Sequence, residues 1–297
     1  MTIEVLATGL TLIQDVGRDG YTNIGVSRSG AWDDLSYRLI SNLIGETNPA
    51  VFEVIAGTFS LKTSKQVIVA VVGSGLIRAN GIPISSNSCF EVEGNNVLEV
   101  EPKGDGPVYL AIAGIQIPKI LNSVAQDTLS GLGPEALIAN QVFEVDNPVR
   151  EDFRVGSFIQ AYPKTDKTVI RYIAGQDTQN ISGKYLVQAN SRTGIRLSIG
   201  ENLSSIATLP SFPVMPGVIQ LTPSGEPVIL GCDCGTTGGY ISAGVVISAD
   251  LHKLSKLRSG DNLLLQKVSV DEARTLHSQQ QQSIRKAVIR PREMGAW

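Results

Sequence analysis

Apolar and polar residues alternate along most of this chain in short runs, and the period of two predicts strands. Ile3 to Leu6 and Leu10 to Ile13, separated by Gly9, read as strand, turn, strand. From Asp33 the period lengthens: Leu35, Leu39, Ile40, Leu43 and Ile44 fall at helical spacing, with Asp33 or Asp34 placed to cap the start and Gly45 to end it. Short strands then return at Ala50 to Ile55, Thr58 to Lys62, Gln66 to Val72, Gly75 to Ala79, Cys89 to Val92, Val97 to Val100 and Val108 to Ala113. Asn-Gly, Gly-Asn and Asp-Gly turns punctuate them.

Ile117 to Asn140 breaks the pattern with Pro118, Gly131, Gly133 and Pro134, and reads either as a surface loop or as a cover over a site. After Gln141 to Val145, the stretch Asp146 to Asp166 is mixed in polarity and carries Pro148 and Pro163. A second β-rich series begins at Thr168 and continues through Tyr185 to Ala189, Gly194 to Ile199, Val218 to Thr222, Pro227 to Cys232, Ala243 to Ser248 and Asn262 to Lys267. Asp250 is placed to cap a short helix carrying Leu251, Leu254 and Leu257. From Asp271 the tail is helical and increasingly polar, and its last residues are expected to fray. Strands this short and this regular favour a barrel or sandwich over strand-helix-strand units. Two domains follow from the length of 297 residues, since domains run about 100–200 residues, with the division set at 1–160 and 161–297.

Composition narrows the chemistry. Apolar residues make up 42% and charged residues 18%, as in a well-packed globular protein. The net charge is -3 and the basic residues are scattered, which argues against nucleic acid as a partner. No apolar run approaches the roughly 20 residues of a membrane span and no leader pattern opens the chain, so a cytoplasmic location is expected. Cys89, Cys232 and Cys234 are an odd number and read as reduced thiols. A C-x-C pair without a second pair supplies too few ligands for zinc, so no metal is expected. The histidines, His252 and His277, fall where the pattern looks like surface helix, which makes a Ser-His-Asp triad improbable.

Three constellations stand out. Thr11 to Asp33 gathers Gln14, Asp15, Arg18, Ser29 and Asp33 among glycines and enters the helix through S-R-S-G-A-W-D, a suitable seat for a carboxylate or phosphate. Singly, its residues also read as caps and surface pairs. G-C-D-C-G-T-T-G-G-Y, from Gly231 to Tyr240, joins Asp233 to the hydroxyls of Thr236, Thr237 and Tyr240, with Gly238 and Gly239 allowing close backbone approach. The competing reading is a tight barrel corner. N-S-R-T-G-I-R-L places Arg192 at a turn, either as an anion clamp or as a surface partner, and Gln220, a polar strand residue, points either into a cleft or to solvent. Ser182-Gly183-Lys184 lacks the spacing of a phosphate loop, and no M-K-M segment is present to accept biotin.

Together T-L-I-Q-D-V-G-R-D-G, I-G-V-S-R-S-G-A-W-D, the Glu53 region, V-Y-L-A-I-A-G, S-R-T-G-I-R-L, P-G-V-I-Q-L-T-P-S-G-E-P and D-C-G-T-T-G-G-Y resemble the KipA-like, or allophanate hydrolase subunit 2, family of biotin-dependent carboxyltransferases, which includes the C subunit of prokaryotic 5-oxoprolinase. The resemblance implies two cyclophilin-like β-barrel domains with a few short helices. It also implies a KipI-like partner subunit and, for an oxoprolinase, a LamB/YcsF-like subunit. The implied function is one subunit of a complex that opens 5-oxoproline to glutamate with ATP, inactive alone. A carboxyltransferase using biotin carried on a partner is the alternative, and a non-catalytic regulator of a KipI-like protein is a third. No cofactor is then bound by this chain. Carried over by residue, Asp15, Glu53 and Asp233 are the expected catalytic groups. Gln14, Arg18, Ser29, Asp33, Arg192, Gln220, Thr236, Thr237, Gly238, Gly239 and Tyr240 are the expected substrate contacts; on physical grounds arginine and the glycine-flanked donors are expected to hold the substrate's carboxylate and developing oxyanion, and Asp15 or Asp233 to handle a proton or water. The chain departs from the family at Ser27, at Ala113-Gly114-Ile115, at Asn122 to Gln126 and at Gly175 to Asp177.

Overall fold

The computed structural model describes residues 1–146, 155–160, 166–175, 180–198 and 210–290. In the first half the alternating runs form two sheets. One has six strands in the order Val142–Glu144, Thr2–Ala7, Phe59–Thr63, Val97–Pro102, Gly75–Ala79 and Ile82–Ile84. The other has seven, in the order Leu10–Gln14, Val51–Ala56, Val108–Ile112, Val67–Val72, Ser88–Val92, Phe158–Ile159 and Val288–Ile289. Ile3, Val5, Phe59 and Leu61 of the first meet Ile13, Phe52, Val54 and Leu110 of the second in one apolar core.

The opposite face of the seven-stranded sheet is covered by α1, Asp34–Ile44, whose Leu35, Leu39, Ile40 and Leu43 pack on Val51, Ala70, Val72 and Ala111. Asp33 caps α1 by accepting from the Ser36 amide, and Gly45 ends it at φ 79°. Because strand residues alternate faces, Glu53 points away from the Phe52–Val54 core, on the side of α1, directly across from Tyr109. A carboxylate is thereby carried into the interior by an otherwise apolar strand.

The second half is a closed barrel of Val169–Ala174, Ile241–Val246, Val218–Leu221, Pro227–Leu230, Gly194–Leu197, Gly183–Ser191 and Asn262–Lys267, sealed by parallel pairing of the last strand with the first. Tyr172, Val187, Ile195, Ile219, Ile229 and Leu265 fill it. The tail helix α2, Val270–Ala287, has 18 residues and is not one of the short helices expected. It carries the chain back to the first half, where Val288–Ile289 pairs with Phe158–Ile159. The tail assigned by sequence to the second domain thus completes a sheet of the first.

Two local expectations are corrected. His252 is not on a surface helix but buried in the 3-10 turn Leu251–Lys256, its Nδ1 3.3 Å from Gln280 Nε2 of α2, and burial pushes its pKa down to about 4. Asp250 precedes that turn without capping it, since Arg171 and Lys253 hold its carboxylate at 2.6 and 2.9 Å. The expected fraying of residues 291–297, residues 176–177 of the departing segment, and much of the 146–166 stretch lie outside the described residues. No described helix is long and apolar enough to cross a membrane.

Candidate functional site

The loop 14–33, the Glu53 strand, the 190–194 turn and the 231–234 segment converge at the junction of the two halves. Arg192 stands at the tip of the hairpin Gly183–Ser191/Gly194–Leu197 and reaches across. Its Nε and Nη2 donate to Asp233 at 2.8 and 2.9 Å, Nη1 donates to Glu53 Oε1 at 2.6 Å, and Nη2 also donates to the Gly30 carbonyl at 2.7 Å. Every guanidinium nitrogen is used. The close packing of the tip against the 231 segment requires glycine there, because a Cβ on Gly231 would lie 2.1 Å from the Arg192 carbonyl oxygen.

Asp233 is equally engaged. Ser29 Oγ donates to its Oδ1 at 2.6 Å, while Thr128 donates to Oδ2 from both its amide and its hydroxyl at 3.0 and 2.7 Å. Burial alone would raise this carboxyl, but Arg192, Ser29 and Thr128 together hold it below the ordinary range. Burial likewise opposes the charge on Arg192, yet Glu53 and Asp233 keep its pKa well above the usual value. Glu53 Oε2 accepts from the Trp32 amide at 2.9 Å and from Tyr109 at 2.7 Å, and the Asp33 amide donates back to the Tyr109 oxygen at 2.8 Å. Ser29 adopts φ 53°, the left-handed region that a serine enters at a cost, and its single hydroxyl proton, directed to Asp233 at 2.6 Å with the Gln126 carbonyl 3.1 Å away, ties it there.

The irregular stretch 117–140 proves to be a strap over this junction rather than a free surface loop. Ser123 and the Val124 amide donate to Asp15 at 2.6 and 3.0 Å, and the Gly17 amide donates to Asp15 at 2.8 Å. The Gln126 amide and side chain bracket Ile13 at 3.0 and 2.7 Å. Beneath the strap, Gln14 Nε2 donates to the Gln126 carbonyl at 2.9 Å and Arg18 Nη2 to the Ala125 carbonyl. Gln14 Oε1, Arg18 Nε and Arg18 Nη1 have no hydrogen-bond partner among the described residues, although both side chains are fully buried. Native interiors pair nearly all such atoms, and in the segments that meet here Trp32 Nε1 and Asn190 Oδ1 share the exception; the three on Gln14 and Arg18 are the ones beneath the strap.

The carboxyltransferase domain, subdomain A and B, matches residues 24–267. The chain belongs to that family. Among its relatives, the 5-oxoprolinase C subunit of Haemophilus influenzae is 30% identical over 89% of this chain and 90% of its own length. The Escherichia coli 5-oxoprolinase C subunit is 26% identical over 94% of this chain and 95% of its own length. Among solved structures, the K. lactis urea amidolyase superposes with a TM-score of 0.83 at 26% identity, over 95% of this chain but only 20% of that one.

Within this family member the residues singled out from sequence separate into three groups. Gln14, Asp15, Arg18, Ser29, Glu53, Arg192 and Asp233 gather at the junction. Asp33 sits at its edge as the helix cap, with Lys256 3.2 Å away. Thr236, Thr237, Gly238, Gly239 and Tyr240 do not join: Thr237–Gly238 pairs with Phe212–Pro213 in a separate two-stranded ribbon, and Thr237 and Tyr240 are exposed. Gln220 goes with them, donating to the Tyr240 carbonyl at 3.4 Å and filling the space that a Cβ on Gly238 would need. The loop 231–240 is thus split, its first four residues turned inward and the rest outward.

Two assigned roles change with the geometry. Glu53, Asp233 and Gly30 take four of the five Arg192 N–H groups, and the one left on Nη1 is too few for a two-pronged grip on a substrate carboxylate. Asp15, Glu53 and Asp233 are each fixed by two or more protein donors, an arrangement suited to positioning rather than to moving protons. Cys232 and Cys234 remain neutral thiols: burial pushes Cys232 well up and Cys234 up to about 11. Sequence reasoning did not single out Ser123, Gln126 and Thr128, whose signals were the irregularity of the 117–140 stretch and, for the first two, the departure from the family at Asn122 to Gln126. It also missed Tyr109, visible only as a polar-tipped residue within the apolar run V-Y-L-A-I.

Proposed function

We propose that this chain is the C subunit of a multi-component, ATP-dependent 5-oxoprolinase that opens 5-oxoproline to glutamate, working with a KipI-like subunit and a LamB/YcsF-like subunit. The observation that carries the reading is the correspondence over nearly the whole length of two bacterial 5-oxoprolinase C subunits, 90% and 95% of their lengths. Within it, Arg18 and Gln14 are the substrate contacts. A lactam presents a carbonyl oxygen beside an N–H; the two unused Arg18 donors suit the first and Gln14 Oε1 the second. Arg192, Glu53, Asp233, Asp15 and Ser29 keep the two halves and the strap in register around them. ATP is consumed elsewhere in the complex.

A second reading, the carboxyltransferase component of a urea carboxylase-like enzyme, is favoured by the superposition on urea amidolyase. The ureido ring of a biotin carried by a partner offers the same carbonyl and N–H edge as a lactam. The discriminating experiment mixes the co-expressed subunits with 5-oxoproline and ATP and measures glutamate. Release of glutamate that requires this chain is expected. An assembled complex that releases none, yet consumes carboxybiotin in the presence of urea, would replace the first reading by the second.

A further inference from the structure

A cavity of about 360 Å³ adjoins the junction, lined by the 28–32 segment, α1, the barrel and α2. Its volume falls in the range of small-molecule sites. Val16, Met215, Leu230 and Leu251 give it an apolar wall; Asp15, Ser29, Gly231 and Cys232 of the junction also line it, whereas Gln14 and Arg18 do not. Two polar atoms among its lining residues, Trp32 Nε1 and His277 Nδ1, are buried without a hydrogen-bond partner among the described residues. An indole N–H only donates, so it calls for an acceptor. Arg28 and Arg38 also line the cavity and bring further donors. Arg28 pairs with exposed Asp19 at 2.9 Å, and Arg38 with Asp34 at 3.2 Å, a lining residue whose carboxyl burial raises to about 6, so neither partner binds its arginine strongly enough to prevent exchange.

We infer that this cavity binds an organic monocarboxylate with an apolar body larger than a lactam ring, its carboxylate received by Trp32 Nε1 and the arginines and its body by the apolar wall. This is separate from the Arg18 and Gln14 contacts beneath the strap. Residues of both halves line the cavity, so the ligand bridges them and raises the thermal stability of the whole chain. The Trp32 backbone amide holds Glu53, which places such a ligand one residue from the Arg192 junction.

The test uses the full chain carrying Trp297→Phe, which leaves Trp32 as the one tryptophan. Phenylacetate, hexanoate, acetate, 5-oxoproline and the neutral phenylacetamide are titrated while Trp32 fluorescence and the unfolding temperature are followed. Phenylacetate and hexanoate are expected to saturate at concentrations at least tenfold below acetate, 5-oxoproline and phenylacetamide. Trp32→Phe, read by unfolding temperature, and His277→Ala, read by both signals, are each expected to weaken that binding about tenfold without lowering the melting temperature of the free protein by more than a few degrees. The inference is overturned if no carboxylate gives a saturable response. It also fails if phenylacetamide binds as well as phenylacetate, if 5-oxoproline binds as well as either larger acid, or if both variants bind as the parent does. Glutamate release by the assembled complex reads the other site and is independent of all four outcomes.

Discussion

Two buried arginines stand at the same junction and differ in one respect. Arg192 meets a protein acceptor at every nitrogen, whereas Arg18 satisfies Nη2 and leaves Nε and Nη1 unused. Burying a guanidinium is costly, and an interior that has folded around one normally completes its hydrogen bonds. Arg192 shows the completed case: it joins Glu53 of the first half to Asp233 of the second and acts as a structural clamp. Arg18 is the incomplete case, and incompleteness in an otherwise saturated neighbourhood is what marks a ligand contact. From sequence the two look interchangeable, each an arginine in a Gly-rich turn. Burial draws Arg18 below the usual arginine range despite nearby Asp15, Asp127 and Asp233, while Arg192 is pushed the other way.

The contrast breaks first at Arg192. Arg192→Ala leaves Glu53 and Asp233 buried without their cation, and chemical denaturation should register a loss of about 3–5 kcal/mol. A loss below about 1 kcal/mol would mean the clamp is not one. Arg18→Gln should do the reverse, lowering glutamate formation by the assembled complex roughly a hundredfold, on the order of an oxyanion-type donor, with little change in unfolding midpoint. If the unfolding midpoint drops as far as in Arg192→Ala, both arginines are structural.

Acid sharpens the comparison next. His252 is neutral in the fold with its pKa near 4, while in the unfolded chain it titrates near 6.5, so the unfolded state gains a proton first as pH falls. The His252 contribution should therefore hold above pH 6.5 and decline toward pH 4, by about 2 kcal/mol between pH 7.5 and 5, opposed by Asp34, whose carboxyl, raised by burial to about 6, takes up its proton first in the fold. The carboxyl of Asp233 is held lower still, so its contribution persists until the pH falls below the ordinary carboxylate range. Denaturation at the two pH values should thus show the wild type and Arg192→Ala each changing by about 2 kcal/mol less favourably than His252→Gln on going from pH 7.5 to 5. A loss that disappears in Arg192→Ala instead would assign it to the junction. The smallest effect is expected at Thr128→Val, which removes one of the hydroxyl bonds to Asp233 and should cost about 1.5 kcal/mol while leaving the Arg192 pairs in place.

Much of this architecture was written in the order of residues. The alternation of apolar and polar positions located most of the strands, the spacing of Leu35, Leu39, Ile40 and Leu43 located α1, and Asp33 and Gly45 marked its ends, because backbone period and capping are local physics. Part of the junction was legible too: Asp15, Arg18, Ser29, Arg192 and Asp233 as polar side chains in or beside Gly-rich turns, and Glu53 through the family resemblance, but not Ser123, Gln126, Thr128 or Tyr109. The roles of the legible residues were not. Whether Arg192 finds Glu53, 139 positions away, or a substrate depends on how a barrel hairpin docks against a sheet, which no local pattern encodes. Nor could spacing reveal that 231–234 turns inward while 236–240 turns out, that α2 carries Val288–Ile289 back to the first half, or that the strap spends its hydrogen bonds on Asp15 and Asp233 and leaves Arg18 short. Hydrogen-bond satisfaction is a property of the packed interior, so only the tertiary structure decided which of two similar arginines remains available to a ligand.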